Sequence, residues 1–184
     1  IIMKKKILYT LLTLLVAFIV FVIYTVNNPV SPLLTASFTE NGKDITITYS
    51  GPYKKGRLIF GTESESALVP YNKYWRTGAN RHTIIKTSSD LIFANNILNP
   101  GEYSLYTVPG ENTWDITFNS TNAYFGISQP DSEMDLFTFS VPSNTLEDSV
   151  EQFTIDFIPS PPGGPSSNAI RLRWDLTEVV IPFN

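Results

Sequence analysis

The chain has 184 residues, of which 42% are hydrophobic, and the 12 Phe, 9 Tyr and 3 Trp exclude a disordered polypeptide. It contains no Cys and a single His, which excludes disulfides, thiol nucleophiles, Cys-ligated zinc and a His-rich metal site. The formal charge of −4 becomes −7 without the three N-terminal Lys, because 10 basic residues then face 17 acidic ones. This acidic balance argues against nucleic acid or anionic lipid headgroups as partners.

The first predicted element is a membrane-spanning helix over residues 7–26. After Lys4, Lys5 and Lys6, the run ILYTLLTLLVAFIVFVIYTV contains no charged residue, Pro or Gly. As a helix it is about 30 Å long, the thickness of the hydrocarbon core of a bilayer. A cleaved signal peptide has a shorter apolar region followed by a small-x-small site, and IYTVNNPVSP offers no such site. The pattern favours an uncleaved signal anchor over a cleaved leader or a buried helix.

The charges that flank this helix predict its orientation. Three Lys precede it, and the first charged residue after it is Glu40. By the positive-inside rule the N-terminus is cytoplasmic and the body lies outside. We therefore divide the chain into a cytoplasmic Lys cluster with a transmembrane signal anchor (1–26), a short Pro-containing linker (27–32) and an extracytoplasmic domain (33–184).

From residue 33 onward the sequence predicts β-strands. Seven segments alternate apolar and polar side chains with the period of a half-buried strand. They are DITITYS (44–50), EYSLYTV (102–108), TWDITFN (113–119), DLFTFSV (135–141), EQFTIDF (151–157), AIRLRWD (169–175) and EVVIPF (178–183). Pro-Gly turn signals precede and follow the second segment, as in NPGE (99–102) and PGEN (109–112). The predicted fold is all-β, an antiparallel β-sandwich or, less favoured, a partly closed barrel.

Several of these segments together resemble a known family. The motifs are YSGP (49–52), KGRLIFG (55–61), LVPYNKYWRTGAN (68–80), PGEYSLYTVPG (100–110) and LRW (172–174). In combination they resemble the bacterial domain of unknown function 2911 family over most of the chain after residue 32. The resemblance implies no activity that carries over residue by residue. The predicted anchor and its orientation place the protein at the bacterial inner membrane with a periplasmic domain, and such an anchor in place of an ordinary export signal is less typical of the family. Family members usually have Glu-Ala-Thr where this chain has Arg81, His82 and Thr83.

The segment LVPYNKYWRTGANRHT (68–83) holds the candidate site. In a ligand site, Arg76 and Asn80 would be donors, and Tyr71 and Trp75 would form a stacking platform for a sugar or an anionic group. In a structural element, a buried Arg76 would bond several backbone carbonyls and Trp75 would fill the end of the sandwich. The structural interpretation is favoured, because a loop that leaves a sheet must satisfy its backbone groups.

The sequence offers few catalytic or metal-binding residues. His82 is expected to be a surface side chain outside any recognisable catalytic motif. Asp131, Glu133 and Asp135 alternate in DSEMD and would point the same way in extended backbone, which makes them weak candidates for a hard cation such as Ca²⁺. Solvated surface charges explain them equally well. No cofactor is predicted, because the chain holds no Gly-rich phosphate loop and no zinc spacing.

Two functions from different classes remain. The first is a non-catalytic accessory subunit, anchored in the lipid bilayer through residues 7–26, which binds an integral membrane protein complex. The alternative is a small-ligand or glycan-binding domain that uses the loop of Trp75, Arg76 and Asn80. A hydrolytic enzyme is disfavoured, and no nucleic acid partner is expected.

Overall fold

The computed structural model describes residues 2–40, 42–122, 128–161 and 167–184, and it begins with one long helix. Helix α1 spans Ile2–Asn27. Its segment Tyr9–Asn27 has a mean hydropathy of 2.4 and is not buried against the rest of the protein. Membrane anchors and signal sequences form helices of this length and composition. Because no part of that segment is covered, a buried core helix is excluded.

The linker after α1 is packed against the domain. The side-chain amides of Asn27 and Asn28 donate back to the Ile23 and Tyr24 carbonyls at 2.8 and 3.0 Å, which satisfies two carbonyls at the helix end. Pro29 follows and cannot continue the helix. Two residues later the chain is half-buried, and the Gly51 amide donates to the Pro32 carbonyl at 2.9 Å. The linker therefore reaches the domain before the first strand begins.

Strands make up most of the remaining described chain. The strands are β1 Leu33–Glu40, β2 Lys43–Ser50, β3 Phe60–Gly61, β4 Val69–Pro70, β5 Thr83–Thr87, β6 Leu91–Phe93, β7 Asn96–Leu98, β8 Gly101–Pro109, β9 Thr113–Asn119, β10 Asp135–Ile158 and β11 Asn168–Phe183. Short 3₁₀ turns lie at Glu63–Glu65 and Ser132–Met134. The predicted segments at 44–50, 102–108 and 113–119 correspond to β2, β8 and β9.

The main sheet has the strand order β1-β2-β5-β8-β9-β10-β11 and is antiparallel throughout. It is curled, so that the chain after β2 meets the second half of β10. The Phe153 amide donates to the Pro52 carbonyl at 2.9 Å, and the Tyr49 hydroxyl accepts from the Ile155 amide at 3.0 Å. The all-β fold with one N-terminal helix is confirmed, whereas a division into the two stacked sheets of a sandwich is not.

Strand β10 joins two segments that the sequence predicts as separate strands. Its first part, 135–142, pairs with β9, and its second part, 143–158, pairs with β11. Register shifts lie on either side of Val150. Such bulges bend a strand locally, and they permit one 24-residue strand to serve two neighbours in a curled sheet.

The predicted alternation of buried and exposed side chains holds where one face of a strand meets solvent, and it fails at the centre of the sheet. The predicted inner face of β2 is buried, and so is that of β9. Strand β8 is buried on both faces at residues 104–107, and so is the second half of β9 at residues 116–119. The segment between β4 and β5 pairs with the edge of β8 beyond the end of β5: Trp75 forms an isolated antiparallel bridge with Thr107, and the ring centroids of Tyr74 and Tyr106 lie 5.4 Å apart. This segment contains the candidate site.

Candidate functional site

The segment between β4 and β5 is fixed to the sheet by backbone hydrogen bonds. The amide of Asn72 donates to the Pro109 carbonyl at 2.7 Å. Trp75 and Thr107 exchange two bonds of 2.8 and 3.0 Å. The Ala79 amide then donates to the Ser50 carbonyl at 3.2 Å. The loop is therefore held in place by the sheet and belongs to the fold, as the structural interpretation of the sequence predicts.

Trp75 is a core residue and not an exposed stacking platform. Its side chain is 7% exposed and its indole Nε1 donates to the Gly78 carbonyl at 3.0 Å. Its ring stacks on Trp174 with centroids 5.9 Å apart and an interplanar angle of 18°. It also meets Phe60 and Phe153 edge-on at 5.6 and 5.0 Å. These rings enclose most of Trp75, as the structural interpretation has it, and its role as a ligand-binding residue stays a prediction.

The turn after Trp75 holds residues in unusual backbone conformations. Thr77 and Asn80 have φ of 55° and 59°, and Gly78 has φ of 150°. A β-branched residue at positive φ is strained, so the surroundings must hold it in place. The Thr77 hydroxyl donates to that of Thr107 at 3.1 Å, and the Thr83 hydroxyl donates to the Thr77 carbonyl at 2.6 Å. A Cβ on Gly78 would lie 2.8 Å from the Ser50 carbonyl oxygen, so this position requires glycine.

Arg76 does not form the buried polar network that the structural interpretation predicts for it. The residue is half-buried, and its Nη1 donates one hydrogen bond, of 3.4 Å, to the Asn80 carbonyl. A guanidinium carries five donors, so most of those on Arg76 are free of protein acceptors in the described chain. Trp75, Thr77 and Gly78 thus fix the conformation of the loop, whereas the side chain of Arg76 stays accessible.

Arg76 lines a groove of about 320 Å³ that begins at the linker. Three of the four predicted ligand residues, Trp75, Arg76 and Asn80, contribute to it. Val30 and Ser31 contribute from the linker. Among the lining residues not predicted from the sequence are Arg57 and Trp174. Both lie in motifs that carry the family resemblance, KGRLIFG and LRW, and this was the available signal.

Tyr71, the fourth predicted ligand residue, lies elsewhere. It lines a separate cavity of about 300 Å³ together with Glu111, Asn112 and residues of β10 and β11. Burial raises the pKa of the Tyr71 hydroxyl, and the nearby carboxylates of Glu111 and Glu65 raise it further. The structure therefore does not bring the four predicted residues into one site. A glycan platform of Tyr71 and Trp75 is not formed.

A second group of polar side chains lies on the covered face of β8. His82 is 2% exposed, so the prediction of a surface His is wrong. Its Nε2 lies 3.4 Å from the Tyr74 hydroxyl and 3.2 Å from the Ser128 carbonyl oxygen. The Tyr106 hydroxyl donates to Asp135 Oδ2 at 2.7 Å. Burial and the contact with Asp135 raise the pKa of Tyr106 to about 12, and burial likewise raises the pKa of Tyr74 to about 12.

The three weak metal candidates are not arranged as an extended strand. A 3₁₀ turn spans Ser132–Met134, and the Asp131 carboxylate caps it by accepting from the Glu133 amide at 3.0 Å. Asp135 instead accepts from Tyr106 and, at 2.7 Å, from the side-chain amide of Asn119. The three carboxylates therefore do not share one face. Within the described ranges, no three His, Asp or Glu side chains are placed to hold a metal ion.

A family model described as a protein of unknown function, DUF2911, matches residues 31–183 of the chain. The chain belongs to the DUF2911 family. No curated protein and no solved structure matches it. In this DUF2911 domain, four of the five motifs that carry the resemblance meet at the groove, through Pro52, Arg57, the 75–80 loop and Trp174. The match begins at Ser31, which also lines the groove.

The buried His82 predicts a pH dependence for the stability of the DUF2911 domain. Burial lowers the pKa of its imidazole below the usual 6.5, which outweighs the opposing effect of the Ser128 carbonyl. The unfolded chain therefore binds more protons as the pH falls through 6.5, and the folded state loses stability. We expect the free energy of unfolding to fall between about pH 7.5 and about pH 5.5, and His82→Gln to flatten this slope. An equally steep slope in His82→Gln would assign the effect to other groups.

Proposed function

We propose that this protein is a membrane-anchored, non-catalytic accessory module whose β-domain binds an integral membrane protein complex. The observation that carries the proposal is an apolar helix that is uncovered from Tyr9 to Asn27 and joined to a packed domain by a linker that itself contacts the domain. Such an anchor holds the domain at the membrane surface and raises its effective concentration for other membrane proteins.

The proposed orientation has the N-terminus in the cytoplasm and the domain in the periplasm, at the bacterial inner membrane. The Lys cluster at 4–6 lies in the first turns of α1 before its apolar part, and the next charged residue, Glu40, is acidic and lies on the domain side. Positive charge is retained on the cytoplasmic side of an inserted helix. Membership of a bacterial family supports an inner-membrane location.

The helix offers little for tight association with a copy of itself. It lacks a Gly-x-x-x-Gly pair, and its Thr hydroxyls bond to their own helix: Thr10 to the Lys6 carbonyl at 3.0 Å, Thr13 to that of Tyr9 at 2.9 Å, and Thr25 to that of Val22 at 2.9 Å. In a bilayer, packing of apolar side chains alone gives weak association. Binding to a larger complex therefore requires the domain as a second contact.

The orientation has a direct test. A reporter fused after Asn184 is expected to be active only when exported, because the Lys cluster holds the other end of the helix in the cytoplasm. Alkaline phosphatase and green fluorescent protein fusions give opposite signals and check each other. Exchanging Lys4, Lys5 and Lys6 for Glu should reduce the exported signal. A fluorescent C-terminal fusion in the unchanged chain contradicts the proposed topology.

A second function, ligand binding by the domain, is favoured by the groove. It holds two guanidiniums, those of Arg57 and Arg76, and neither forms an ion pair with a carboxylate in the described part of the chain. A concave site with such groups suits an anionic ligand.

A further inference from the structure

The groove has no acidic lining residue among the described positions, although the domain as a whole is acidic. The Arg57 guanidinium is positioned by its Nε, which donates to the Lys54 carbonyl at 2.9 Å, and by its Nη2, which donates to that of Tyr53 at 2.5 Å. Three donors of Arg57 remain, and four remain on Arg76. The net negative charge of the domain disfavours the binding of anions to its surface in general. The two charged residues that line this groove, however, are both positive.

One residue that lines the groove has a buried donor without a partner. Trp174 lines the groove and is 2% exposed, and its indole Nε1 has no hydrogen-bond partner in the described chain. The stacked ring of Trp75 has its own N–H bound to Gly78, so the two indoles differ in this respect. A buried N–H without an acceptor is costly, but this atom is itself closed to solvent, so the proposed donors of the groove are the two guanidiniums.

The groove lies close to the point where the chain leaves the membrane. Ser31, which lines it, follows the end of α1 at Asn27 by four residues, a separation of at most about 14 Å in extended chain. The headgroup layer on each side of a bilayer is roughly 5–8 Å thick. The linker end of the groove, at Val30 and Ser31, is therefore near the headgroup layer when the helix is inserted.

Exposed apolar side chains adjoin the same groove. Val30 and Leu68 line it and are 65% and 44% exposed. Leu58 is 46% exposed, follows Arg57 directly, and accepts a backbone hydrogen bond from Leu68 at 3.0 Å. Single exposed Leu side chains are ordinary on a protein surface, but this group surrounds two Arg beside a membrane helix. Apolar groups next to cations are suited to the interface between headgroups and hydrocarbon.

We propose that this groove binds the phosphate of an anionic phospholipid headgroup, with Arg57 and Arg76 as its ligands, in the leaflet that α1 leaves on the domain side. This inference rests on the anchoring proposed above. A guanidinium matches two phosphate oxygens with parallel hydrogen bonds, which a Lys ammonium does not. The bound headgroup holds the domain in one orientation on the bilayer and thereby presents the same surface to a partner complex.

The test titrates the full-length protein in neutral detergent micelles with phosphatidylglycerol, phosphatidylcholine or inorganic phosphate and follows the unfolding midpoint. Phosphatidylglycerol is expected to raise the midpoint, and the other two probes are expected to have little effect. A basic residue near an anionic surface contributes about fivefold in affinity, so Arg57→Gln with Arg76→Gln should weaken phosphatidylglycerol about 30-fold. Arg57→Lys with Arg76→Lys should restore only part of the loss.

Arg81→Gln is the matched control, because Arg81 is an exposed cation in the same segment that does not line the groove. It should bind phosphatidylglycerol within about twofold of the unchanged protein, since its exposed side chain does not line the groove and its charge is screened by salt. The unliganded midpoints show whether each variant folds. Equal affinity for phosphatidylglycerol in the Arg57/Arg76 double variant overturns the inference, as does equal binding of phosphatidylcholine. If inorganic phosphate binds as tightly as phosphatidylglycerol, the groove is a site for free anions and the lipid is not its ligand.

A separate measurement tests the anchoring on which the inference rests. Alkaline extraction of membranes should leave the full-length chain in the membrane fraction, and it should do so equally for the Arg57/Arg76 double variant. Release of the unchanged chain contradicts the proposed anchor and removes the membrane as the source of the ligand. If the chain stays in the membrane fraction and the double variant binds lipid as tightly as the unchanged protein, only the headgroup site is contradicted and the anchor stands.

Discussion

Replacing Trp75 with Ala is expected to lower the free energy of unfolding by about 3–5 kcal/mol, a large part of the 5–15 kcal/mol that is usual for a domain. The change removes the ring that stacks on Trp174, and it leaves a cavity among four aromatic partners, Phe60, Trp114, Phe153 and Trp174. It also removes the donor to the Gly78 carbonyl, which braces the turn that holds Thr77 at positive φ. Urea unfolding followed by far-ultraviolet circular dichroism measures the effect.

The control for this experiment is the neighbouring Arg76→Ala. The side chain of Arg76 is half-buried and makes one long hydrogen bond, so its removal is expected to change the free energy of unfolding by less than about 1 kcal/mol. Trp75→Phe keeps an aromatic ring without the N–H and should lie between the two. A loss for Arg76→Ala as large as for Trp75→Ala would mean that Arg76 belongs to the structural part of the loop after all.

Removing the anchor is expected to weaken binding to the membrane complex by 10²–10⁴-fold, the range over which a tether raises effective concentration. The variant consists of residues 29–184, which retain the linker residues Val30 and Ser31 of the groove. It should fold as a monomer, because the packed domain does not use the exposed helix. Quantitative mass spectrometry of subunits that co-purify with the tagged protein in mild detergent measures the difference.

A helix swap separates tethering from specific helix contacts. Exchanging residues 7–26 for an unrelated apolar helix of equal length should preserve most of the binding if the anchor acts through proximity. A full loss in the swapped protein would indicate that α1 itself recognises the complex. If residues 29–184 co-purify with the complex as strongly as the full-length chain, the accessory-module proposal is wrong as stated.

Features that depend on residues close together in the sequence could be predicted from it. The apolar run before Asn27 identifies the helix, since twenty residues without charge, Pro or Gly leave few alternatives. The buried faces of β2 and β9 follow from alternation alone, because successive side chains in a strand point to opposite sides. The same rule fails for β8, since a rule about one strand carries no information about what covers its second face.

The candidate groove depended on contacts between distant parts of the chain. Trp174 stacks on Trp75 from 99 positions away, and Arg57 reaches the same groove from a loop that the sequence analysis left without a role. His82 was expected at the surface but is buried, with its Nε2 near the Tyr74 hydroxyl and the Ser128 carbonyl, while DSEMD forms a turn where alternation predicted a strand. Side-chain type and spacing specify local backbone and one buried face. Which cations remain unpaired, and which indole N–H lacks an acceptor, depends on how the curled sheet brings its loops together.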